Sequence, residues 1–61
     1  SEGVTFDRLF LEGMIAHHQG AIKMAQKVTN SANKEVAALA AAIIEAQEKE
    51  IAFMQELIKF Y

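Results

Sequence analysis

The chain has 61 residues and no Cys, which excludes disulfides and thiolate metal sites and leaves room for one domain at most, residues 1–61. Six Lys+Arg against eight Asp+Glu give a net charge of -2, which argues against binding a nucleic-acid backbone. A domain this short hides only about 60% of its unfolded surface and usually needs a staple such as a metal or a partner subunit.

With no Pro, three Gly and 52% apolar residues, the composition is that of a helical protein. The longest apolar run, residues 36–44, is far short of a membrane span. The chain opens on Ser1 without Met or a signal segment, which fits a fragment of a longer protein or a mature domain.

A first helix is expected over about residues 5–29. Thr5 can cap it, Asp7 suits the positive end of the helix dipole, and Val4 can staple against Leu9. At 100° per residue Phe6, Phe10, Met14, His17, Ala21, Met24, Ala25 and Val28 share a face, opposite Arg8, Glu12, Gln19, Lys23 and Gln26. Gly13 and Gly20 stand seven residues apart at the border of that face. Because glycine weakens a helix, the pair suggests a groove where another helix approaches closely.

The segment 29–33 (TNSAN) gathers residues that favour turns and caps. A second helix is expected over about 34–60, capped by Asn33, with Glu35 in its first turn. Its apolar stripe runs from Val36 through Leu39, Ala40, Ile43, Ile44, Ile51, Met54, Leu57 and Ile58. Glu45 and Lys49 make a favourable pair on the wet side. The short link implies an all-α antiparallel helical hairpin. Since one hairpin covers only part of each stripe, dimerisation into a four-helix bundle is the simplest completion.

Four polar residues interrupt the stripes: His17 and His18 in the first, Gln47 and Glu50 in the second. Folding the hairpin near residue 31 sets His17 opposite a position near 46 and Met14 opposite one near 49, so all four lie within about two turns. One reading is a buried network in which a histidine donates to Glu50 or Gln47 and fixes helix register. The other is a metal site. Met14 is three residues from His17 and four from His18, so either pair can meet one ion on a helical face. Thioether plus imidazole suits copper, although another transition metal is possible. The candidate ligands are Met14, His17, His18, Met24, Glu50 and Met54, with Glu50 either a ligand or an orienter of the imidazole. His17 and His18 point about 100° apart and cannot easily chelate one ion together. A di-iron centre would need Glu-x-x-His motifs, but Met14 and Ile15 occupy those positions. No other catalytic constellation is present in the sequence, so a non-enzymatic role is expected.

The run MIAHHQGAIKMA (14–25), followed by IIEAQEKEIAFM (43–54), resembles the domain of unknown function 305 family over about Phe6 to Leu57. The paired histidines within Met-x-x-His-His-x-x-Ala-Ile-x-Met carry the likeness. The resemblance implies a ferritin-like helical bundle of bacterial secreted or periplasmic proteins, some of which bind copper through Met and His. The family motif falls on Met14, His17, His18, Met24, Gln47, Glu50 and Met54. Many members carry Met-Met before the histidines, whereas this chain has Gly13 at the first of those positions. The expected function is therefore an extracytoplasmic module that sequesters or delivers copper, a homodimer without nucleic-acid partner or membrane span. The alternative is a metal-free dimerising hairpin.

Overall fold

The computed structural model describes residues 2–61, which form two α-helices and a terminal 3-10 turn, with no strand among them. Helix α1 runs Glu2–Gln26 and helix α2 Lys34–Leu57, continued by the 3-10 turn Ile58–Phe60. The two helices pack side by side as an antiparallel hairpin measuring 50 × 14 × 11 Å.

Helix α1 begins earlier than its sequence suggests. Thr5 is already inside the helix, since the helix passes through Gly3 and a residue that favours a cap does not forbid an extra turn upstream. Its end is also earlier: residues 27–30 form turns rather than the last helical residues. The amides of Lys27 and Val28 bond the carbonyls of Met24 and Ala25, three residues back, at 3.2 and 3.1 Å. This tightening draws carbonyls of the last turn into bonds they would otherwise lack.

The start of α2 follows from Asn33. Its extended backbone (φ -80°, ψ 105°) brings the side-chain oxygen to accept from the amides of Glu35 and Val36, at 3.0 and 3.2 Å. Ser31 braces the cap from outside, its Oγ accepting from the Asn33 amide at 3.1 Å. Glu45 and Lys49 lie within 4.0 Å, but both are mostly exposed, so the pair contributes little.

The core is thin. Among the described residues Leu11, Ala25, Ala40 and Met54 are its buried apolar members, and two of these are alanines. Helix α1 therefore presents α2 with the line Leu11–His18–Ala25, rotated from the face expected to be apolar. Phe6, Phe10 and Met24, of that expected face, stay exposed. The cause is that α1 is apolar around more than half its circumference, since Leu11, Ile15 and Ile22 extend the stripe, and one neighbour covers only part of it. Gly13 and Gly20 do not mark the α1–α2 contact either, because a Cβ at either position would meet no atom within 4 Å.

Candidate functional site

The polar centre of the hairpin is built on His18. A rotation of 100° per residue sends His18 inward and leaves His17 exposed, although the two are sequence neighbours. The His18 Nδ1–H donates to the carbonyl oxygen of Met14, one turn back, at 2.7 Å. Across the hairpin its Nε2 lies 2.5 Å from Glu50 Oε1. The imidazole is buried, while 62% of the Glu50 side chain remains accessible. Glu50 thus reaches in from the surface to meet a ring enclosed by both helices.

This geometry constrains the chemistry regardless of tautomer. Nδ1 faces a carbonyl, which can only accept, so Nδ1 carries a proton. With Glu50 ionised, Nε2 must also donate; with Glu50 neutral, its O–H donates to Nε2. In either case neither ring nitrogen keeps a lone pair for a metal. His18 as placed here does not fit a ligand role, and the same bond withdraws Glu50 Oε1.

The remaining candidates are spread along the molecule. Met14 contributes its backbone carbonyl to the His18 bond and is half-buried. Met54 belongs to the apolar core. His17 and Met24 lie on the outer side, where with Gly20 and Ala21 they line an open recess of about 350 Å³. The His17 and His18 rings meet edge to face, with centroids 6.3 Å apart. Among the described residues no three His, Cys, Asp or Glu side chains gather in a way that could hold a metal ion. Gln47, expected near this level, is half-buried, and its Oε1 is buried without a hydrogen-bond partner.

A second recess, an apolar groove of similar volume, opens towards the loop end. Met24 and Val28 of α1 face Leu39 and Ile43 of α2 across a floor that includes Ala25 and Ala40, enclosing about 360 Å³. Phe53 and Phe60 fall outside the apolar stripes expected from the sequence. The signal was there: Leu39, Ala46, Phe53 and Phe60 recur every seven residues, as do Phe10, His17 and Met24. Among the described residues no helix is long and apolar enough to cross a membrane.

Fold and centre together define a two-helix module pinned by a buried imidazole bonded to a largely exposed carboxyl group. The chain belongs to the family described as Domain of unknown function (DUF305), whose model matches residues 1–58. No curated protein and no solved structure matches it.

Proposed function

We propose that the chain is a structural pairing module, a helical hairpin whose register is set by His18 and Glu50 and which dimerises into a four-helix bundle. The observation that carries this reading is the complete use of the His18 ring: both nitrogens are engaged within the fold, one to each helix. A buried imidazole satisfied from the facing helix disfavours alternative registers, since sliding the helices by one turn would strand a buried ring nitrogen. The thin core supports the dimer, because four buried apolar side chains among the described residues are few for a free-standing domain. No catalytic step is assigned to the module. Its placement outside the cytoplasm rests on the family likeness alone.

Thermal unfolding of chelator-treated protein, followed by circular dichroism, tests the reading. The melting temperature should rise with protein concentration and stay unchanged when copper is added. A melting temperature independent of concentration, or one that climbs steeply with copper, would reject it.

A second reading retains copper, at His17 and Met24. Imidazole and thioether line the same recess there, and the His17 ring nitrogens make no hydrogen bond among the described residues. Two such donors suit Cu(I), but they stand two helical turns, about 10 Å, apart along α1, so a donor from a partner copy would have to complete the site. Calorimetric titration with Cu(I) under reducing conditions would support it by a saturable heat that His17→Ala removes, and the absence of any saturable heat would dismiss it.

A further inference from the structure

The exposed apolar residues are arranged unevenly along one side of the hairpin. The groove at the loop end is bordered by Met24 of α1 and Leu39 of α2, so the seven-residue lines through these two residues flank the same side. Followed to the open end, those lines lead to Phe10 and to Phe53 and Phe60. Phe6 shares this side, since eighteen residues, five full turns, separate it from Met24. The four phenylalanines are 67% (Phe6), 56% (Phe10), 65% (Phe53) and 83% (Phe60) exposed. One face therefore carries an aromatic ridge at one end and an open apolar groove at the other.

We infer that this face is covered by a second copy of the chain lying antiparallel, with the two loops at opposite ends, so that the phenylalanine ridge of each copy seats in the other's groove. The inference rests on the pairing reading above and adds the face and its orientation.

The area is of the right size. A compact monomer of 6.8 kDa exposes about 4,000 Å². The hairpin exposes 4724 Å², an excess of about 700 Å². A stable interface buries about 800 Å² per partner. An apolar cavity of about 150 Å³ holds one benzene ring, so the open groove of about 360 Å³ has space for two of the ridge's four phenyl groups. A copy is favoured over an unrelated chain because a single two-fold axis fills both grooves and covers both ridges at once. With the loops at the same end, ridge would meet ridge and groove would meet groove, leaving both grooves empty at the cost of lost packing.

In the antiparallel arrangement the polar middle of the face, His17 and the outer oxygen of Glu50, lies towards the axis. Polar residues at such seam positions fix register in helical assemblies. Gly13 and Gly20, spaced by seven on the same side of α1, lack any neighbour in the hairpin and let the partner's backbone approach.

The chain has no Cys, so a nitroxide can be placed at a single introduced thiol. Asn30→Cys puts the label in the exposed turn, clear of the Asn33 cap. Double electron–electron resonance on the chelator-treated dimer should give a label separation close to the 50 Å length of the hairpin. A separation of about 20 Å, the width of two helices, would place the loops together and overturn the inference while leaving the dimer intact. A labelled protein that stays monomeric would overturn the pairing reading along with it. Leu39→Lys, at an exposed groove wall, identifies the face. It should weaken association at least tenfold without loss of helicity, and an unchanged dimer constant would show that another surface is used.

Discussion

At the residue scale the hairpin depends on how one imidazole is satisfied. His18 is buried between two oxygen partners, whereas Glu50 keeps most of its surface in water, so the two partners respond differently to substitution. Glu50→Ala strands a buried ring nitrogen and should cost about 1–2 kcal/mol in chemical denaturation. Glu50→Gln should cost less, because the amide can donate to Nε2 while Nδ1–H stays on the Met14 carbonyl. Equal losses for Ala and Gln would show that the bond does not form in solution. Gln47 is the opposite case, a polar group whose buried oxygen has no partner. Gln47→Leu should stabilise the protein by about 1 kcal/mol, read from the same denaturation curves, and a clear destabilisation would reveal a partner for that oxygen in the assembled state.

At the element scale, local chemistry made most of the hairpin legible in the sequence. Asn33 announces α2 with a side chain that can cap and an acid two residues on, and the cap forms as read. Asn33→Ala should cost about 1 kcal/mol, measured by thermal unfolding, with no change in helix register. The start of α1 was misread at Thr5, because a good capping residue also fits inside a helix once the upstream residues continue it. Of the four polar residues that the sequence sets near one height, the structure bonds only His18 to Glu50. That division was not legible: helical spacing puts His17 and His18 on adjacent rows and cannot say which row the neighbour covers. That choice depends on the total apolar width of α1, where Leu11 and Ile15 compete with Phe10 and Met14 for a single contact. For the same reason the heptad of Leu39, Ala46, Phe53 and Phe60 points away from the α1–α2 contact and leaves both phenylalanines exposed. Gly13 offers a check on the helix itself. Its Cβ would enter open space in the hairpin, so Gly13→Ala should raise helix stability by up to about 1 kcal/mol; the same substitution should hinder close approach of a second copy. Circular dichroism and sedimentation of one sample separate the two effects.

At the scale of the whole molecule the balance of buried and exposed surface is the decisive property. A 50 Å hairpin, only 14 by 11 Å across, encloses little, and its largest aromatic side chains lie outside the core. Such a surface is unusual for a free monomer and ordinary for half of a four-helix bundle. Copper at His17 and Met24 would sit on this same surface, so metal binding and pairing would compete for it or depend on each other. Sedimentation equilibrium of the chelator-treated chain, over a hundredfold range of concentration, tests the central claim most directly. The pairing account predicts a mass twice the 6.8 kDa of the chain, falling towards that value only on dilution. A single species of chain mass, well folded at the highest concentration, would contradict it.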